Sequence, residues 1–401
     1  MPRSPFLSSR LQGFGTTIFA EMSALAVRTG AINLGQGFPD TDGPAEVSEA
    51  AIAAIRAGVN QYPPGPGTDD LLSAISEHQR RFWNLEFDPA SEVLVTAGAT
   101  EALAATMFAL CETGDEVIAF DPTYDSYGAG VAMAGARLRG VLLRPEPRPG
   151  GGFRFGFDPD ELRRAFNPKT RLLLLNSPHN PTGKVFDQDE LQLIADLCQE
   201  HDVIAVTDEV YEHLVFGGHA HRPLAGFPGM AERTLTVSSG GKTFSFTGWK
   251  IGWVCGPAPL VAAVRTAKQF LTFVNGAPFQ PAIAVGLRLG DDYFTRFAAD
   301  LQAKRDLFGG YLTTAGFDVL APEGTYFITV DIRQRSKSGP DPVDHTVAFC
   351  LGLPEKAGVV AVPSSVFYQD QRDGQHLARF CFAKNDALLI EAGERLVAAF
   401  G

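Results

Sequence analysis

Apolar runs of strand length alternate with helical patterns through the middle of the chain. Glu92–Gly98 (EVLVTAG), Glu116–Asp121 (EVIAFD), Arg137–Leu143 (RLRGVLL), Arg171–Asn176 (RLLLLN), Val203–Glu209 (VIAVTDE) and Thr234–Ser239 (TLTVSS) are rich in apolar residues, most of them along nearly their whole length. Strands of that kind are buried on both faces, which predicts a mostly parallel sheet covered by helices, an α/β architecture. Residues 99–112 read as a helix between two of them, and another begins near Asp187, where Glu190 stands at the capping-box position. Upstream, Pro44 to about Ala57 reads as a helix with proline in its first turn and Gly58 at its stop. Thr68 is placed to cap a further helix, with Asp69 and Asp70 in its first turn and Leu71, Leu72, Ile75 and Phe82 on one face.

From about residue 286 the pattern changes. A long helical stretch leads to the more alternating Asp318–Ile332 (DVLAPEGTYFITVDI) and to a last strand, Leu377–Ala383 (LARFCFA), as in a smaller α+β domain. The expected division is an arm over 1–44, a large domain over 45–285 and a small domain over 286–401. Asn33–Asp40 (NLGQGFPD) and Asn60–Gly67 (NQYPPGPG) carry too much glycine and proline for regular structure. Arg144–Gly152 and Arg333–Pro342 read as surface loops.

Composition narrows the function classes. The 401 residues suffice for two domains on a large buried core, and 45% hydrophobic with 20% charged residues is ordinary for a soluble globular protein. A net charge of -12 argues against nucleic acid as a partner. The five cysteines, at 111, 198, 255, 350 and 381, form no Cys-x-x-Cys pair, which fits reduced thiols in a cytoplasmic protein. The N-terminal residues lack an apolar core of signal-peptide length, and no window reaches 18 uninterrupted apolar residues, so neither export nor a membrane span is expected.

Candidate chemistry collects where the expected strands end, the edge at which open parallel sheets bind ligands. After Thr234–Ser239 comes GGKTFSFTGWKIGW, with Lys242 and Lys250 in an otherwise uncharged, glycine-containing segment. A desolvated lysine has a lowered pKa and becomes a nucleophile, as in Schiff-base lysines; the plain alternative is a surface loop. A P-loop is excluded, because it requires Gly at position 236, which is Thr236. The Gly98-Ala99-Thr100 turn offers helix N–H groups to a phosphate, although many strand-to-helix turns contain glycine. Asn176–Lys184 (NSPHNPTGK) is too elaborate for a simple turn. Asp208 ends a buried strand, where a carboxylate is rare unless paired. A metal is the rival reading there, since Glu209, His213, His219 and His221 follow closely, but the spacing is not HExxH and no metal is expected. Arg379, on the last strand, has the fork that suits a carboxylate.

These motifs, spread over residues 33 to 383, resemble the class I aminotransferases among the fold type I pyridoxal-phosphate enzymes. The resemblance implies that fold and pyridoxal 5'-phosphate as cofactor. Lys242 of Ser-x-x-Lys then matches the lysine that holds the cofactor covalently. Gly98, Ala99, Thr100, Ser239 and Lys250 match its phosphate ligands. Tyr124 matches the ring stacked on the pyridine, Asn180 and Tyr211 the partners of its O3′, and Asp208 the acid that keeps the pyridine nitrogen protonated so that the ring can act as an electron sink. Arg379 matches the α-carboxylate ligand, with Gly37, Phe19 and Asn180 also facing substrate. Tyr62 matches a tyrosine that reaches the partner's phosphate in a homodimer with shared sites, and the arm is expected to pack with the small domain.

The implied reaction moves an amino group between an L-amino acid and 2-oxoglutarate, with the freed Lys242 amine as general base at Cα. NLGQGFPD and RFCFAKND resemble the kynurenine and glutamine aminotransferases. NQYPPGPG, GATEALAA and NGAPFQP are similar to a bacterial branch assigned to N-succinyl-L,L-diaminopimelate in lysine synthesis, the donor favoured over kynurenine, glutamine or methionine. Phe19, Tyr124 and Phe279 are expected to form an apolar wall for a long side chain. A cysteine-conjugate β-lyase is the nearest enzymatic alternative. A pyridoxal-phosphate-binding regulator would need a basic DNA-binding domain, which this acidic chain does not offer. Purified protein should be yellow, and borohydride should fix the colour to Lys242, as peptide mass mapping would show. A Lys242→Ala chain that transaminates at the wild-type rate would refute the assignment.

Overall fold

In the computed structural model, residues 6–15, 17–147, 152–334 and 345–401 are described. Seven strands form the main sheet, in the order Val93–Thr96, Gly252–Cys255, Thr234–Ser239, Ile204–Asp208, Thr170–Asn176, Glu116–Asp121, Arg137–Leu142. Gly252–Cys255 runs antiparallel to both of its neighbours, and the other strands all run the same way. The interior strands bury both faces, as their uniform apolar sequences require: Leu172, Leu173, Leu174 and Leu175 are all buried. One face packs on a core that includes Ile118, Phe120, Leu173, Phe186 and Ile194, the other on one that includes Val117, Leu172, Leu174, Val206 and Val254.

The helices follow the capping signals closely. Ala45–Arg56 starts after Pro44 and ends before Gly58, whose φ is +83°. Gln188–Glu200 carries the full capping box, with Asp187 and Glu190 each accepting from the other's backbone N–H. Asp69–Trp83 begins after Thr68, but that hydroxyl does not cap it. Gln280 accepts from the Thr68 N–H at 2.8 Å instead, and the hydroxyl lies buried without a partner.

The structure corrects one sequence expectation and adds a strand that the sequence does not announce. Arg144–Pro147 is a strand, paired with Phe153–Gly156 as an antiparallel ribbon outside the main sheet, and residues 148–151 fall outside the described part. Its prolines hide the strand pattern, yet proline is tolerated where no inner ladder needs its N–H. Gly252–Cys255 is a main-sheet strand, although its sequence stands out only as the end of the TGWKIGW motif. Most of the Arg333–Pro342 stretch, residues 335–342, lies outside the described residues.

The C-terminal part holds a four-stranded antiparallel sheet in the order Asp318–Leu320, Phe327–Asp331, Leu377–Cys381, Val362–Pro363. The long helix Asp291–Thr314 and the last helix Asp386–Phe400 contribute to its core, which also takes in Met22, Ala26, Ile32 and Leu34 from the N-terminal arm. A two-residue parallel ladder, Ile32–Asn33 on Val359–Val360, ties the arm to it. Leu34 to Phe38 then run from this ladder past the C-terminal edge of the main sheet, toward Lys242.

Candidate active site

The strand ends and the arm enclose a cavity of about 310 Å³. It is lined by Phe19, Gly37, Gly98, Ala99, Thr100, Tyr124, Asn180, Asp208, Tyr211, Ser239, Lys242, Lys250 and Arg379, so every cofactor and substrate candidate except Tyr62 and Phe279 meets in one place. Gln36, Phe38, Tyr127, Asn176 and Phe327 also line the wall.

Asp208 ends the Ile204–Asp208 strand at 5% exposure, and burial pushes its pKa up to about 6. Tyr127 Oη donates to its carboxylate at 2.6 Å, and the Val210 N–H donates at 3.4 Å. On the neighbouring strand, Asn176 Nδ2 donates to the Asp208 carbonyl at 2.8 Å, while its Oδ1 accepts from the Asn180 N–H at 2.7 Å. Asn180 Oδ1 in turn accepts from Arg379 at 2.8 Å, which leaves the Asn180 amide N–H₂ as its donor.

Arg379 is 1% exposed. Its guanidinium lies 3.9 Å from the Phe327 ring centroid, 4.8 Å from that of Phe367 and 5.3 Å from that of Phe19. Burial lowers its pKa to about 10, still charged at neutral pH. A second guanidinium nitrogen donates to the Gly35 carbonyl at 3.3 Å, and Nε is buried without a partner. An orphaned donor on a buried cation signals a site built for an anion.

Lys242 lies in the short helical turn Gly240–Thr243 that follows the Thr234–Ser239 strand. Its Nζ donates to Tyr326 Oη at 3.0 Å. The sequence predicts that burial depresses this lysine. Burial does oppose its charge, but interactions led by the Tyr326 phenol outweigh that effect, and the pKa is raised. Lys250 moves the other way, lowered first by burial and then by the charge of Lys242. Lys250 also reaches the Gly98 turn. Gly98 has φ +75°, and a Cβ there would stand 3.1 Å from Lys250 Nζ, so glycine both permits the turn and leaves room for a ligand.

Three cations, Lys242, Lys250 and Arg379, thus face one carboxylate, Asp208, across the cavity. With the helix N-terminus at Gly98, this suits a phosphorylated ligand beside a carboxylate-bearing one. A pyridoxal phosphate fits on these grounds.

One expectation fails. Phe279 is not in the wall: it stacks on Trp249 with centroids 4.8 Å apart, and Trp249 stacks on Phe246 at 3.9 Å. Tyr62 is 82% exposed and touches Phe273 edge-on at 5.5 Å. The nearby histidines that suggest a metal have other partners, since His221 pairs with Glu209 at 2.9 Å and His219 lies 3.8 Å from Glu323. Among the described residues, His78, Glu212 and His213 do bring ligand atoms within 4.8 Å of one another. All are already paired: the two imidazoles share a 2.9 Å hydrogen bond, and Glu212 accepts from Ser238 and Trp83. Burial lowers His78 to about 4, so a neutral pair sharing one proton accounts for the contact. Tyr326 and Tyr127 are absent from the sequence candidates. Their one signal is position, each within a few residues of a strand boundary.

A lysine and an acid on adjacent strand ends, with a buried arginine fork facing the same cavity, define a pyridoxal-phosphate-dependent aminotransferase. The chain belongs to the class I and II aminotransferases, whose family profile matches residues 29–396. It is 52% identical to the probable N-succinyldiaminopimelate aminotransferase of Mycobacterium tuberculosis, over 97% of each chain. The solved structure of the N-succinyldiaminopimelate aminotransferase from Mycobacterium tuberculosis superposes with a TM-score of 0.92 at 51% identity, covering 98% of this chain and 100% of that one. The methionine aminotransferase of Escherichia coli is 39% identical over 99% of each chain.

Asp208 gives a pH test. Its folded pKa, about 6, lies above the ordinary carboxylate value of 3.8, so the folded state holds the extra proton between the two. The stability this contributes is complete below about pH 4 and is lost as pH rises through about 6. In cofactor-free protein, Asp208→Asn should therefore raise the melting temperature by roughly 2–4 °C at pH 7.5 and hardly at all at pH 4.5. Equal shifts at both pH values would refute the buried-charge account.

Proposed function

We propose that the protein transfers an amino group between N-succinyl-L,L-diaminopimelate and 2-oxoglutarate, in the cytoplasm. The observation that carries this reading is the 52% identity to the mycobacterial enzyme, sustained over 97% of both chains. In the cavity, Phe19, Phe38, Tyr124 and Phe327 make an apolar wall beside the carboxylate fork that admits a long or an aromatic side chain. When bound, the cofactor supplies the electron sink for the Cα carbanion.

The chain's own residues do the rest in this reading. Lys242 would hold the cofactor and, as a free amine, would take the Cα proton. Asp208 and its Tyr127 partner would keep the pyridine nitrogen protonated, and Tyr211 and Asn180 would serve as donors to the ring oxygen. Arg379 orients the substrate carboxylate, helped by Gly37 and Asn180. Residues 45–285 act as the cofactor-binding domain, and 286–401 with the arm 1–44 as the part that carries Arg379 and most of the substrate wall.

The assembly we infer is a homodimer with shared sites. Tyr62, Phe270, Leu271 and Phe273 are exposed together, an apolar set that a second copy would cover. Tyr62 would then reach the partner's phosphate cup.

Two measurements check these points. Comparing kcat/KM for N-succinyl-L,L-diaminopimelate, methionine, kynurenine and glutamine reports discrimination directly. The succinylated donor should lead, and a value well below that for methionine or kynurenine would defeat the substrate assignment while leaving the aminotransferase intact. Separately, Tyr62→Phe chains mixed with Lys242→Ala chains should regain activity, because each hybrid dimer holds one native site. No gain above the separate variants, after subunit exchange is verified, would remove Tyr62 from the partner's site.

A further inference from the structure

Tyr326 stands at the start of the Phe327–Asp331 strand, fully buried, and belongs to none of the motifs that identify the site. It makes two hydrogen bonds in series. Its Oη donates to the Gly37 carbonyl at 2.8 Å and accepts from Lys242 Nζ at 3.0 Å. The direction follows from the groups. A carbonyl only accepts, so the phenol proton is committed to Gly37, and the phenol oxygen faces Lys242 with lone pairs alone.

The backbone is bent to achieve this aim. Thr325, just before it, has φ +67°, a genuine outlier for a β-branched residue. The strain is held in place: the Thr325 N–H donates to the Leu214 carbonyl at 3.0 Å, and its hydroxyl accepts from the Phe327 N–H at 3.2 Å. Such strain persists only where surroundings over-determine it. Here it turns two successive rings to the cavity side, Phe327 onto Arg379 and Tyr326 onto Lys242. The arm is shaped to match, since a Cβ on Gly37 would fall 2.3 Å from Phe327 and 3.3 Å from the Tyr326 ring.

We infer that Tyr326 is a positioning residue for Lys242, whose amine docks on the phenol oxygen whenever it is not bonded to the cofactor and is thereby tethered to the arm at Gly37. This rests on reading Lys242 as the covalent lysine. An uncharged amine that donates one N–H to Tyr326 has its lone pair directed elsewhere, free to take the Cα proton. After taking it, the ammonium keeps the same hydrogen bond. Tyr326 carries no proton in either direction. Without it, a four-carbon side chain regains its rotamers in the cavity, and the reacting geometry is lost.

The isosteric Tyr326→Phe keeps the ring contacts to Tyr211 at 5.2 Å and Phe327 at 4.9 Å. Two rates should then move in opposite directions. The first half-reaction, followed by cofactor absorbance with whichever of the four donors reacts fastest, should slow about 10- to 100-fold, with a larger isotope effect for Cα-deuterated donor. Capture of added pyridoxal phosphate by cofactor-free protein at pH 7 should quicken about 3- to 10-fold, because loss of the acceptor favours the uncharged amine. The pH midpoint of capture should fall accordingly. Parallel slowing of both rates marks a merely structural role and overturns the inference, as does an unchanged capture midpoint. Borohydride labelling of both proteins separates the two failures. Label elsewhere than Lys242 defeats the underlying reading, whereas label on Lys242 with unmoved rates defeats only the role of Tyr326.

Discussion

One buried carboxylate organises this protein. Removing Asp208 from water costs free energy that the hydrogen bonds to its carboxylate offset only in part, and further bonds run on from its backbone carbonyl. Tyr127 donates to the side chain, and Asn176 donates to the carbonyl of the same residue. Asn176 holds the Asn180 N–H, Asn180 holds Arg379, and Arg379 holds the Gly35 carbonyl of the arm. A continuous polar chain therefore runs from the centre of the parallel sheet to the antiparallel sheet and on to the N-terminal segment. The aromatic rings around Arg379 exclude water from its far end. Acid and cation are thus fixed relative to each other by short links through side-chain amides, which have few alternative geometries.

Much of this is legible in the order of the amino acids. Strands such as RLLLLN announce burial on both faces, and the residues at their ends are therefore at the ligand-binding edge. The capping box at Asp187 and Glu190 reads directly from two letters three apart. What stays hidden depends on contacts remote in sequence. His78 and His213 are 135 residues apart, so no local spacing reveals their pairing, and the nearer histidines suggest a metal instead. Tyr326 looks like any aromatic at a strand start, and only the positive φ of Thr325 shows that it is aimed. Phe279 suits the wall by residue type, but stacking on Trp249 offers it a competing partner. The Arg144–Pro147 strand is concealed by its own prolines.

Lys242 illustrates why a residue's setting must be weighed rather than named. Burial alone predicts a depressed pKa, but a phenol oxygen at 3.0 Å leads the interactions that reverse the direction. Lys250 follows burial. Two lysines eight residues apart in one segment are therefore shifted in opposite directions by their surroundings.

The two-residue ladder between Ile32–Asn33 and Val359–Val360 has a consequence for how such an enzyme changes its diet. The groups that perform the chemistry stand on main-sheet strand ends, locked by packed cores on both faces of the sheet. Gly35 to Phe38 leave that ladder as a loop beside the cavity, held by side chains on its backbone carbonyls: Arg379 on Gly35, Tyr326 on Gly37 and Lys384 on Phe38. Because those bonds are made to backbone carbonyls, side-chain changes at Gln36 or Phe38 can reshape the mouth of the cavity with the carbonyl contacts kept, whereas Gly37 has no room for a side chain. Two positions thus offer a lineage a way to alter its choice of donor at little risk to the reaction.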